Sequence, residues 1–299
     1  MKLLSGMMKK IRFLLLMGMI APLFVEGQDT RPDTLVINGI TVIRDNRPPK
    51  NEPKKGFFKN INSRRTLKKI TTEWGMVDIG MSSFVDRTDY PGVAAQAYAP
   101  GSNNQWFETK GFKSRNINLW VVTQRYSLVH HVLNLQYGVG LELNNYFYTQ
   151  PVRYDPNPPA TQDPPVVSID ARAQSVPPER IYKKDKLAAD YVTVPLMLNF
   201  NFTPDRIYPF ELSAGVSIGY LYASRNKTIT SDEGKQKAKD AFGLKPWKLS
   251  YVGDLTLGVV TFYGSYAFKG MYKRGLDMTP YTFGIRLRPG DLFNKIENR

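Results

Sequence analysis

The chain has 299 residues, no cysteine, two histidines and a formal net charge of +15. A mean hydropathy of −0.36 excludes a bundle of membrane-spanning helices. The lack of cysteine excludes a disulfide framework, a lipid-bearing cysteine and the ordinary structural zinc sites.

At the start, "MKKIRFLLLMGMIAPLFVEGQ" sets Lys9, Lys10 and Arg12 before an apolar run from Phe13 to Val25. That run falls short of the about 20 apolar residues of a spanning helix, so residues 1–27 are expected to be a secretory signal peptide. An exported basic chain meets anionic headgroups and lipopolysaccharide phosphates rather than nucleic acid. Residues 28–72 are expected to form a basic periplasmic segment. "TLVINGITVI" there suits a short strand, followed by Pro48, Pro49 and Pro53 and by Arg64, Arg65, Lys68 and Lys69, with little apolar surface to bury.

From Glu73 the pattern changes to period-two alternation, the mark of strands with one apolar and one polar face. Eight segments carry it: "EWGMVDIGMSSF", "RNINLWVVTQRY", "LNLQYGVGLEL", "DYVTVPLMLNFNF", "PFELSAGVSIGYLY", "PWKLSYVGDLTLGV", "TFYGSYAF" and "YTFGIRLR". In the third, Leu133, Leu135, Tyr137, Val139, Leu141 and Leu143 face one way, with Asn134, Gln136 and Glu142 on the other side. Pro195 interrupts the fourth and predicts a bulge, because proline removes a ladder donor. Short connections ("SLVH", "TPDRIY") alternate with long ones over 86–114, 147–189, 223–245 and 269–280.

Short turns alternating with long loops, and strands long enough to cross a bilayer, predict an all-β fold. It is an antiparallel transmembrane up-and-down β-barrel of eight strands over residues 73–288, with short periplasmic turns and long extracellular loops. Residues 289–299 would then be a periplasmic tail. Aromatics fall near the expected interfaces: Trp74, Tyr208 and Phe210 inside, and Tyr146, Tyr148, Tyr191, Tyr220, Tyr222, Trp247 and Tyr281 outside.

Charged residues inside the strands fall on the polar face. Glu142, Glu211, Lys248, Asp254, Arg286 and Arg288 are therefore expected to line the lumen, where an eight-stranded barrel has room for little but side chains. A packed ion-pair network is the expectation, with a selectivity site as the alternative. His130 and His131 diverge to opposite faces, and neither stands beside a nucleophile, so no catalytic residue, cofactor or metal is expected. Two long loops are rich in cations. Arg180, Lys183, Lys184, Lys186, Arg225 and Lys227 would suit lipopolysaccharide phosphates just outside the outer girdle.

"TEWGMVDIGMSSFVDRTDY", "YVTVPLMLNF", "GVSIGYLYASRNKT", "AFGLKPWKLSYVGDLTLG" and "FYGSYAFKGMYKRGLDMTPYTFGIRL" together resemble the PorT-like outer-membrane β-barrel proteins of the Bacteroidetes. The resemblance implies a monomeric barrel of about eight strands in a Gram-negative outer membrane, with no catalytic residues to carry over. Some such proteins serve secretion machinery. The expected function is a non-enzymatic barrel with a structural or complex-forming role, whose partners are outer-membrane lipids, lipopolysaccharide and other envelope or secretion proteins. The alternatives are a narrow channel for small solutes and a lipid-modifying enzyme.

Overall fold

The structure is a computed structural model. It describes residues 34–37, 40–43, 67–159, 163–206 and 208–287. The expected signal peptide, most of the basic segment, Arg288 and the terminal tail lie outside the described residues.

The "TLVINGITVI" segment forms two strands rather than one. β1 (Thr34–Ile37) and β2 (Ile40–Ile43) make an antiparallel hairpin in which Thr34 faces Ile43. This hairpin belongs to a separate unit of the chain.

The main unit is a closed ring of antiparallel strands. Its members are β3 (Ile70–Asp86), β4 (Arg115–Val129), β5 (Leu133–Phe147), β8 (Tyr182–Asn201), β9 (Phe210–Thr230), β11 (Trp247–Leu257), β12 (Val260–Ala267) and β13 (Met278–Leu287). Each pairs with its neighbour in chain order; β13 pairs with β3, which closes the ring. The long connections carry small elements of their own. They are α1 (Val93–Tyr98), a hairpin of β6 (Val152–Tyr154) and β7 (Val167–Ile169), α2 (Ala171–Gln174), and β10 (Gly234–Ala238), which pairs with the far end of β9. All four long connections leave one end of the barrel, the loop end. The short ones close the other, the turn end.

Polarity is inverted relative to a soluble protein. Inside are Asp78, Asn116, Asn118, Asn134, Glu142, Asn199, Ser213, Lys248, Asp254 and Arg286, all buried. Outside, Ile79, Leu119, Leu196, Leu198, Ile218, Leu249, Phe262 and Phe283 are each between 38% and 50% exposed or slightly above. An apolar belt around a polar interior, on a sheet without an open edge, is what a bilayer demands of strands. The chain is a transmembrane β-barrel.

Local irregularities set which side chains point inward. A register shift between Trp120 and Val122 in the β4–β5 ladder adds one residue to β4. Trp120 and Thr123 are consequently both buried, and Arg125 follows them into the interior. The bulge expected at Pro195 does not occur. Pro195 faces Ser217 in unbroken register, and the two irregularities of that ladder lie between Tyr182 and Lys184 and between Asp190 and Tyr191 instead. On the β5 side the ladder keeps one offset from Tyr137–Leu196 to Gly140–Thr193, so the missing donor costs pairing without moving the strand. The β4–β5 turn places both His130 (φ 43°) and His131 (φ 62°) in the left-handed region, with Val132 N–H donating to Val129 at 2.9 Å. The β-turn closed by that bond has His130 and His131 at its centre and needs this backbone, because its twist matches the strands.

Beyond the belt, β8 and β9 continue past the barrel, and the four long connections fold together over its mouth. Their core joins Tyr98 and Phe107 from the first, Tyr148, Val152, Tyr154 and Val167 from the second, Phe242 and Leu244 from the third, and Met271, Tyr272 and Leu276 from the fourth. Three of the expected outer-girdle aromatics are corrected here. Tyr146, Tyr148 and Tyr191 are buried in or beneath this cap, because Tyr146 and Tyr191 share the inward parity of Glu142 and Thr193. Tyr220, Tyr222 and Trp247, with outward parity, do face out, as do Trp74, Tyr208 and Phe210 at the turn end.

Candidate functional site

Charged side chains fill the lumen in three tiers. At the turn end, Glu211 accepts from Arg125 Nη1 at 2.8 Å and from Asn201 Nδ2 at 2.9 Å. In the middle, Arg286 bridges two carboxylates: Nε reaches Asp78 at 2.7 Å and Nη1 reaches Asp254 at 2.6 Å. Asp78 also accepts from the Trp120 indole at 2.7 Å and from Asn118 at 3.2 Å. Toward the loop end, Lys248 donates to Glu142, which is further held by Asn144 at 3.0 Å and Thr193 at 3.2 Å. Asn116 links the upper two tiers, accepting from Tyr263 Oη at 2.6 Å and donating to Asn118 and Asn144.

Five of the six expected lumenal charges therefore point inward: Glu142, Glu211, Lys248, Asp254 and Arg286. The sixth, Arg288, lies outside the described residues. They form three tiers, two of which are completed by a charge that the sequence did not single out. Asp78 completes the middle tier. Its signal was present, since it alternates with Val77 and Ile79. Arg125 completes the turn-end tier, and the bulge at Trp120 hid it.

Little space remains. The lumen holds a cavity of about 40 Å³ bordered by Trp120, Met197 and Tyr263, room for about one water. Buried charges are tolerated because each is paired and hydrogen-bonded; removing one partner from such a pair typically costs about 3–5 kcal/mol.

The cap closes the loop end above the Glu142–Lys248 tier. The Tyr148, Tyr154 and Tyr272 hydroxyls form a chain at 2.8 and 2.7 Å, and Tyr98 Oη donates to the Phe242 carbonyl at 2.7 Å. Burial holds the Tyr98, Tyr154 and Tyr272 phenols well above their usual range, so all stay neutral donors. Phe242 sits at φ 47° yet is fully buried; packing against Tyr154, with ring centroids 5.2 Å apart, offsets the strain of that backbone. Gly275 (φ 79°) is required, because a Cβ there would come within 2.4 Å of the Tyr98 Cβ.

The expected lipopolysaccharide contacts divide. Arg180 is corrected: it is 1% exposed and pairs with Asp170 at 2.7 Å, with Asp232 at 2.7 Å and with Glu233. This cluster, joined by Arg153 and Arg172, ties the second long connection to the β9–β10 tip. Lys183, Lys184, Lys186, Arg225 and Lys227 are at least partly exposed on the extensions of β8 and β9. Nearby, burial pushes the Asp185 carboxyl up to about 8, against the pull of Asn226, Lys110 and Arg153. Its Oδ2 has no hydrogen-bond partner.

Among the described residues no group of three or more acidic, His or Cys side chains is placed to hold a metal ion. No protein-family model and no curated protein matches the chain. The solved structures that align with it do so at low similarity, two of them as follows. Neisserial surface protein A (NspA) is 9% identical, with 74% of this chain and 99% of that one covered and a TM-score of 0.29. Ail, the attachment invasion locus protein of Yersinia pestis, solved in complex with the heparin analogue sucrose octasulfate, is 14% identical over 72% and 99%, with a TM-score of 0.28. At these values the alignments carry no argument about function. The barrel rests on the ring, the belt and the lumen.

Proposed function

We propose that this chain is a non-enzymatic barrel of the Gram-negative outer membrane with a structural or complex-forming role. The observation that carries it is the filled lumen: among the described residues Glu142, Glu211, Lys248, Asp78, Asp254 and Arg286 are each paired with another lumenal group, and an aromatic cap closes the loop end. The asymmetry of the connections supports an orientation with the turns in the periplasm and the cap outside. In that orientation the basic segment preceding β3 and the tail after β13 reach the periplasm, behind a signal peptide over residues 1–27. Outer-leaflet lipids and lipopolysaccharide are then the immediate partners.

The PorT-like kinship, and with it a link to protein secretion, belongs to the same reading. Its support is that the resembling segments "GMVDIG", "YVGDLTLG" and "TFGIRL" deliver Asp78, Asp254 and Arg286, the whole middle tier. The channel reading needs an open path, and the cavity of about 40 Å³ beside the middle tier gives it little support. Planar-bilayer recording tests the choice. The purified protein is expected to give no steady conductance, whereas a stable unitary conductance in the wild type would establish the channel instead. For the complex-forming role, cross-linking in intact cells is expected to join the chain to envelope proteins, and recovery of the barrel alone would count against it.

A further inference from the structure

The outward face of the β8–β9–β10 extension carries an arrangement that costs stability unless something covers it. Lys186 on β8 stands directly opposite Lys227 on β9, and Lys227 stands directly opposite Lys237 on β10. Three lysines thus lie in one row across three hydrogen-bonded strands. Two residues along, Ile229 separates Lys184 from Lys235 in a second row on the same face. Directly opposed residues have Cβ atoms about 4.5–5.5 Å apart, and like charges in such pairs are destabilising.

The surrounding groups sharpen the conflict. One acid, Asp190, stands near the row; it is paired with Arg225 at 2.6 Å and attracts Lys186 and Lys237 from farther off, while Asp232 and Glu233 are paired with Arg180. Lys184 and Lys186 rest 5.2 and 5.3 Å from the centre of the Phe147 ring, and Lys186 donates to Asn145. Those contacts fix the row in place without neutralising it. Partial burial, then Lys184, Lys227 and Arg225, lower the Lys186 ammonium to about 8.

We infer that this lysine row is a binding site for the phosphate groups of lipopolysaccharide in the outer leaflet. The inference rests on the outer-membrane reading above and names the site at which that lipid is held. Position selects the occupant. The row continues the lipid-facing side of β9, where Tyr220 and Tyr222 are exposed just below it. Lys227 lies five residues past Tyr222, on the order of 16 Å along the strand, and shares its face because β9 carries one extra residue between Leu221 and Ala223. That is the headgroup zone of a glycolipid whose acyl chains cover the belt. Phosphates placed between the ammonium groups replace repulsion by charge-assisted hydrogen bonds.

The test uses the full chain, refolded in detergent, and two triple variants: Lys186→Gln/Lys227→Gln/Lys237→Gln and the charge-keeping Lys186→Arg/Lys227→Arg/Lys237→Arg. Thermal unfolding is followed while rough-type lipopolysaccharide, its dephosphorylated form or dextran sulfate is titrated. Phosphorylated lipopolysaccharide is expected to raise the Tm of the wild type and of the Arg variant. The Gln variant is expected to bind at least tenfold more weakly, and to be no less stable than wild type without lipid. Equal affinity of the Gln variant, or equal binding of the dephosphorylated form, overturns the site. Tighter binding of dextran sulfate than of lipopolysaccharide assigns the row to a soluble polyanion and overturns the lipid as its occupant. Failure of the outer-membrane reading shows elsewhere, as loss of outer-membrane fractionation and of heat-modifiable mobility, so the two results are separable.

Discussion

The same strands obey opposite rules in two parts of the molecule. Between Val192 and Asn201, β8 turns Leu196 and Leu198 outward and Thr193 and Asn199 inward. Between Tyr182 and Ala189 it turns Lys184 and Lys186 outward and Leu187 and Ala189 inward. From Lys184 to Asn201 the parity of β8 holds, because the extra residue at the Asp190–Tyr191 irregularity is Tyr222 of β9; what changes is the solvent around the strand. In the lower part the outside is lipid, so polar groups gather in the lumen and must satisfy one another. In the cap the outside is water, so apolar groups gather inside as in a soluble protein. The outward residues change from Lys184 and Lys186 to Val192, Leu196 and Leu198 across Asp190 to Val192, which marks the upper edge of the apolar belt on this strand.

The two regions should break in different ways. In the lumen, Arg286→Met leaves Asp78 and Asp254 facing each other without a cation. We expect a loss of about 3–5 kcal/mol, read as a lower urea midpoint of the folded barrel in lipid vesicles. The cap should remain protease-resistant in whatever fraction stays folded. In the cap, Gly275→Ala adds a Cβ against Tyr98 at a left-handed position. We expect a cost of about 1–3 kcal/mol from the backbone, read as protease cleavage of the long connections while the barrel keeps its urea midpoint. A Gly275→Ala barrel that unfolded with its cap would merge the two regions into one cooperative unit.

Acidity separates them further. The folded Asp185 carboxyl titrates near 8, above its ordinary range near 4 when unfolded. Between those values the folded state holds the extra proton, so the contribution of Asp185 to stability falls as pH rises through the window. Lys110 and Arg153 offset part of the loss. Asp185→Asn should therefore change little at pH 4 and stabilise the cap by about 2 kcal/mol above pH 8. Proteolysis rates of the long connections across pH check this. The smallest effect belongs to the turn end. His130→Asn with His131→Gly supplies residues suited to two left-handed positions and should add about 0.5–1 kcal/mol, seen as a slightly higher urea midpoint.

How much was legible in the sequence follows from the same contrast. Alternation exposed the lower barrel well, because a bilayer punishes every departure: a Lys or Arg on the lipid face at the midplane costs about 2–4 kcal/mol. Glu142, Lys248, Asp254 and Arg286 could be assigned to the lumen on that ground alone. Their partners were harder. Asp78 needed knowledge of which strands meet across the ring, and Arg125 needed a bulge that no residue type announces. The cap was largely hidden. Its core is assembled from aromatics scattered over four connections, with no period to reveal it, and Tyr146, Tyr148 and Tyr191 were placed by height along the strand when parity was the better guide. Arg180 looked like a surface cation because Asp170, Asp232 and Glu233 are remote in sequence from it or from one another.

The change of rule along β8 can be measured directly, because the chain has no cysteine of its own. Single variants Lys184→Cys, Lys186→Cys, Leu196→Cys and Leu198→Cys, in the protein refolded into lipid vesicles, would be exposed to a water-soluble maleimide and to a lipid-soluble one. Positions 184 and 186 are expected to react rapidly with the water-soluble reagent, and positions 196 and 198 to be shielded from it and to react, if slowly, only with the lipid-soluble one. Rapid labelling of positions 196 and 198 from water would contradict it, because the apolar belt would then not lie in a membrane.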